Sequence, residues 1–152
     1  MHEYVDVVDL AERLHRQFLE VIRLELDGLG IHDINSVQGL MLFNIGDAEM
    51  SVGELMWRGC YLGSNASYNV KKMVENGYLA QERSAHDRRL VLVRLTEKGT
   101  KFRDRLQQMH QRHVAMLERT AITEKDLQAV TVTLGRLDRF WTQIRDRKPA
   151  AA

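Results

Sequence analysis

Between Tyr78 and Leu95 the chain changes its hydrophobic period, and this constrains the fold more than any other feature. Elsewhere apolar residues recur at three- and four-residue steps, the spacing of amphipathic helices. Here Tyr78–Arg83 and Arg89–Leu95 read as two strands joined by the short polar turn "SAHDR" (84–88), a β-hairpin. In the second strand Leu90, Leu92 and Arg94 fall on one side and Val91, Val93 and Leu95 on the other. An isolated hairpin is marginal in water, so this one must rest on helices. The pattern predicts a mainly α chain with one small β-hairpin.

The helices have readable ends. Residues 4–28 predict a long helix with Val7, Leu10, Leu14, Phe18, Val21 and Leu24 on one stripe, stopped at Gly28 and Gly30. Asn35, three residues before Gln38, has the spacing of an N-cap and opens a helix with Val37, Leu40, Met41 and Ile45, ended by Gly46. Ser51 and Glu54 open a short helix over about 51–58 that turns Val52, Leu55 and Met56 inward. A tight turn, "RGCYLG" (58–63), follows, and Ser64 is placed to cap the next helix, about 65–76, closed by Asn76-Gly77. Thr96 caps a helix over about 97–119 whose Phe102, Leu106, Met109 and Met116 line one face, with Gly99 tolerated in its first turn. From Thr123 to about 146 a last helix places Leu127, Val130, Leu134, Leu137, Trp141 and Ile144 at alternating three- and four-residue steps, a heptad seam.

Charge separates along the chain although the net is only +1. Residues 1–63 carry four basic and eleven acidic side chains, residues 64–105 ten and five, and residues 106–152 eight and five. A basic middle in a near-neutral chain is the mark of a local polyanion-binding face or of an ordinary solvated surface. The helix over 65–76 leaves both open by itself and, taken with the hairpin beside it, favours the first. Ala66, Val70, Met73 and Val74 fall on one side, and Asn65, Tyr68, Asn69 and Lys72 lie almost opposite, flanked by Ser67 and Lys71. A solvated face usually mixes Glu and Lys; this one carries carboxamides, a phenol and lysines. Asn can pair with adenine in a bidentate way, and Lys can donate to guanine or phosphate. A polar helix after a short helix and a tight turn has the layout of a helix-turn-helix recognition helix. Beside it, Arg83 and the hairpin tip His86-Asp87-Arg88-Arg89 present planar, permanently charged guanidinium groups suited to phosphates and narrow minor grooves. Asp87, two residues before Arg89, is placed to orient a guanidinium.

The stretch "SNASYNVKKMVENGYLAQERSAHDRRLVLVRLTEKG" (64–99) resembles the MarR family of bacterial winged-helix regulators. The marks are a recognition helix ending "VKKMVENGYL", Asp-x-Arg in the wing (Asp87, Arg89) and the closing "VRLTEKG". The resemblance implies a winged helix-turn-helix over 35–99 that binds double-stranded DNA, with Ser64, Asn65, Ser67, Tyr68, Asn69, Lys71 and Lys72 in the major groove. Arg89, held by Asp87, would enter the minor groove, with Arg83, His86 and Arg88 nearby. It implies a homodimer built from an N-terminal helix (1–34) and C-terminal helices (100–148), a short tail (149–152), and release by a small-molecule effector. A repressor on a pseudo-palindromic operator is the expected form. The stripes themselves support dimerisation: Val7, Leu10 and Leu14, and the seam Leu127, Val130, Leu134, Leu137, Trp141 and Ile144, are more apolar surface than one small winged helix covers. No motif locates an effector pocket.

Other features carry less. Cys60 precludes an intramolecular disulfide and reads as a turn residue or a redox sensor. His110 and His113 have helical spacing, but no third ligand completes a metal site locally. Trp57 and Trp141 read as core or interface anchors. No catalytic or nucleotide-binding motif appears, so neither an enzyme nor a cofactor is expected. No basic, then apolar leader and no membrane-length apolar run is present, so a cytoplasmic, membrane-free location is expected. The competing reading is a winged helix that binds only protein; aromatic and aliphatic anchors would then be expected where Asn65, Asn69, Lys72 and Arg89 stand.

Overall fold

A computed structural model describes residues 2–59 and 63–147. The turn at Cys60 and the tail after Pro149 lie outside the described residues. The chain forms two compact units, residues 1–109 and 110–152.

In the first unit α1 (His2–Gly28) is followed by α2 (Ser36–Ile45), β1 (Met50–Ser51), α3 (Val52–Gly59), α4 (Gly63–Glu75), β2 (Leu79–Arg83) and β3 (Val91–Leu95). α5 begins at Glu97 and ends at Leu117. Asn35 caps α2 in a full capping box: its side chain accepts the Gln38 amide, and the Gln38 side chain accepts the Asn35 amide. Ser51 Oγ accepts the Glu54 amide at 3.0 Å and Thr96 Oγ1 the Gly99 amide at 3.1 Å. Ser64 differs from expectation: it lies inside α4, which begins at Gly63. Gly77 closes α4 at φ +79°, a left-handed backbone that suits glycine.

The sheet has the order β1-β3-β2, all antiparallel. The hairpin pairs Leu79 with Leu95 and Arg83 with Val91. Two residues, Met50 and Ser51, supply a third strand against Val93 and Leu92. A two-residue strand shows no alternation, so periodicity cannot reveal it.

Ile22, Leu26, Met41, Leu42, Ile45, Leu55, Met73, Val93, Phe102 and Leu106 form the core of this unit. On α1 the buried residues are Ile22 and Leu26, whereas Leu24 is exposed. The stripe of Val7, Leu10, Leu14 and Leu24 thus faces away from the core, a second apolar face on the same helix. Asp33 ties the α1–α2 loop to the hairpin base. Its carboxylate accepts the Tyr78 hydroxyl at 2.7 Å and the Lys98 ammonium at 2.8 Å. Lys98 Nζ also lies 4.1 Å from the centre of the Tyr78 ring.

In the second unit the remainder of α5 is followed by α6 (Glu124–Asp146), capped by Thr123 in a capping box with Asp126. None of its described residues is buried, and Leu127, Val130, Leu134, Trp141 and Ile144 are each 38–53% exposed. Met116, expected on the stripe of Phe102 and Leu106, is also exposed.

Candidate nucleic-acid interface

α4 sits on the core through Ala66, Val70 and Met73, all buried, with Val74 partly so. The 3.6-residue period then turns Ser64, Asn65, Ser67, Tyr68 and Lys71 outward. Tyr68 is 60% exposed, a large amphipathic side chain with its ring in solvent. Lys71 and Lys72 share Glu75, at 3.9 Å and 3.2 Å. Hydrogen bonding to Glu75 and its charge raise the Lys72 pKa above the ordinary lysine value.

The hairpin tip is organised by a residue the sequence reading passed over. Ser84 is buried, and its hydroxyl accepts the amides of His86 and Asp87, both at 3.3 Å. The Ser84 amide donates to the Leu90 carbonyl and the Leu90 amide to the Asp87 carbonyl, both at 2.9 Å. Asp87 does orient Arg89, but through the backbone: its Oδ1 accepts the Arg89 amide at 3.0 Å, the bond of an Asx turn, rather than the guanidinium. The result is a hydrogen-bonded tip from which Arg88 and Arg89 project. A serine opening a polar turn between two strands is the signal that was available for Ser84.

A groove of about 360 Å³ joins these parts. Ser67 and Lys71 of α4 line one wall, Gln81, Arg89 and Val91 of the hairpin another, and Ser51 to Gly53 the end. The two elements that the sequence analysis singled out therefore face one concavity. Arg83 is exposed at the end of β2, and His86 at the tip.

Asn69 departs from expectation. It is half-buried, and its Oδ1 accepts a hydrogen bond from Gln38 Nε2 at 3.1 Å. The free donor-and-acceptor pair expected for adenine is thus half-occupied from within. Trp57, read as a core or interface anchor, is 66% exposed on α3, so it is not core. His110 and His113 stack edge to face at 6.3 Å, and burial and the second imidazole lower the His110 pKa. Among the described residues no three His, Cys, Asp or Glu side chains are grouped to hold a metal ion.

Three antiparallel strands packed on a helix-turn-helix, with a polar recognition helix and a basic wing on one groove, define a winged helix of the DNA-binding type. The winged helix DNA-binding domain family matches residues 34–99. The chain is 36% identical over 138 residues to the exopolysaccharide II synthesis transcriptional activator ExpG of Rhizobium meliloti, covering 91% of this chain and 71% of that one. Among solved structures it is similar to a mutant MarR from E. coli in complex with operator DNA (TM-score 0.73, 18% identity, 89% of this chain and 95% of that one). It is also similar to a Staphylococcus aureus MarR in complex with salicylate and kanamycin (TM-score 0.75, 19% identity, 93% and 94%). The chain belongs to the same family of winged-helix transcription regulators as ExpG, and it has the fold of the MarR structures. It is a transcription regulator with a winged helix DNA-binding domain, and its relatives are regulators, not enzymes. No described helix is long and apolar enough to cross a membrane.

Proposed function

We propose that the chain is a homodimeric, sequence-specific regulator that binds a pseudo-palindromic site in double-stranded DNA. The observation that carries this reading is the shared groove, where Ser67 and Lys71 of α4 stand opposite Arg89 of the wing. With α4 in the major groove, Asn65, Ser67 and Tyr68 reach base edges, and Ser64, Lys71 and Lys72 reach the backbone. Arg89 then extends towards the adjacent minor groove, with Arg83, His86 and Arg88 along the phosphates. Residues 35–99 would form the DNA-binding part, and 1–34 with 100–148 the dimerisation part.

Dimerisation is supported by the exposed apolar seam of α6 and by exposed Val7, Leu10 and Leu14 on α1. A two-fold axis would place two recognition helices about one DNA turn apart. Release by a small molecule requires only that the ligand bind DNA-competent and incompetent dimers unequally. The salicylate complex of the S. aureus relative supports that class of control.

Repression needs only occupation of a promoter. A second reading, activation, is favoured by the name of the 36%-identical relative. One experiment covers both. Selection of bound duplexes from a random pool should return an inverted repeat with half-sites one turn apart. A reporter with that site over or upstream of a promoter then gives the sign. Recovery of no motif would contradict the proposal and favour the protein-binding alternative.

A further inference from the structure

Gln38 lies on α2, outside the recognition helix, yet it determines what Asn69 shows to solvent. Gln38 is 5% exposed. Its Oε1 accepts the Asn35 backbone amide at 3.0 Å, a bond only the oxygen end of the carboxamide can make. Nε2 is therefore the end that faces Asn69, 3.1 Å away. An NH₂ group facing Asn69 must meet an oxygen, so Asn69 directs Oδ1 inward and Nδ2 outward. Asn69 Nδ2 has no partner among the described residues, and no buried polar side-chain atom among them lacks one. Nδ2 consequently opens to solvent on α4.

We propose that Gln38 is a positioning residue that fixes Asn69 as a hydrogen-bond donor toward the major groove, and so sets base preference at one position of each half-site. The proposal rests on the reading that α4 enters that groove. Guanine presents only acceptors there, N7 and O6, and thymine the O4 acceptor, whereas cytosine presents only the N4 donor and adenine the N6 donor beside its N7 acceptor. A carboxamide with its nitrogen forward favours guanine and thymine, reaches adenine only through N7 and disfavours cytosine; with its oxygen forward the preference reverses to cytosine and adenine. Turning it round would set two NH₂ groups against each other, or strip the Asn35 amide of its acceptor, and both leave polar groups unsatisfied.

Two variants invert the presented group by separate routes. Gln38→Glu keeps the cap, because Glu is a normal residue at that place in a capping box. Ionised, its second oxygen can only accept, so in selections run at a pH where the introduced carboxylate is charged Asn69 must turn Nδ2 inward and Oδ1 outward. Asn69→Asp leaves the capping box untouched, retains the bond from Gln38 and presents an oxygen. Duplex selection with the full wild-type chain and each variant should move one position per half-site away from G or T and towards C or A, with C, which the wild type disfavours, as the diagnostic gain. The relative affinity there should change by about fivefold or more, with every other position unchanged. A purely structural role would lower the melting temperature or weaken all sequences alike without changing the motif. A Gln38→Glu variant that keeps the wild-type motif overturns the relay, even if Asn69→Asp shifts it. Should Gln38→Glu fail to fold, Asn69→Asp decides: an unchanged motif overturns the proposal. A wild-type chain that selects no motif overturns the DNA reading, and this inference with it.

Discussion

At Gly99 a Cβ would stand 2.2 Å from the Tyr78 carbonyl oxygen, which also accepts the Thr96 amide at 3.0 Å. Glycine there is required by close approach of α5 to the hairpin base, not merely tolerated. Gly99→Ala should therefore cost about 1–3 kcal/mol through overpacking, read as a lower urea midpoint at unchanged slope. Asp33 gives a pH test. Burial pushes its carboxyl pKa up, but hydrogen bonds from Lys98 and Tyr78 outweigh this and hold it below the usual carboxylate range. A depressed native pKa contributes stability above the unfolded value that is lost as pH falls through the native one. Between about pH 5 and pH 2 the wild type should thus lose more stability than Asp33→Asn, measured by urea midpoints. Equal acid profiles would remove Asp33 from the account. Residue types were legible in the sequence; their partners were not. The capping role of Gln38 follows from its spacing to Asn35, but its bond to Asn69 spans 31 positions and only the fold supplies it.

Elements carry the next level of function. The wing should matter through Arg89, which lines the groove with Lys71. Arg89→Ala should weaken binding to the selected site by about 1–3 kcal/mol. Unchanged affinity in an anisotropy titration would remove the wing from the mechanism. Glu75 opposes the two lysines of α4, so Glu75→Gln should tighten binding to all duplexes alike, with a steeper salt dependence. A gain confined to one sequence would contradict that. Helix and hairpin positions were readable because caps and periods are local signals, as at Asn35, Thr96 and Thr123. Strand β1 was not, since two residues have no period. Nor was the exposure of Trp57, because an apolar side chain on a short helix reads as core until its neighbours are known.

For the whole molecule, the α6 seam is the surface that most needs explanation. Leu127, Val130, Leu134, Trp141 and Ile144 are exposed in a single chain, and contiguous apolar surface of this kind marks an interface. Leu134→Asp should shift sedimentation from dimer to monomer and, by separating the two recognition helices, cost more operator affinity than any single groove contact. A variant that stays dimeric would move the interface elsewhere. The heptad seam was legible in the sequence, although a stripe alone could equally have packed within the chain; its exposure favours the intermolecular choice.

The most direct test of the central claim is a fluorescence-anisotropy titration of the purified chain. It would use duplex from its own upstream region and a selected duplex, against scrambled controls at several salt concentrations. Tight, selective binding of two protomers per site is expected, with log K falling linearly against log salt at about −0.9 per phosphate neutralised. Equal, weak binding to every duplex, the selected one included, would contradict it.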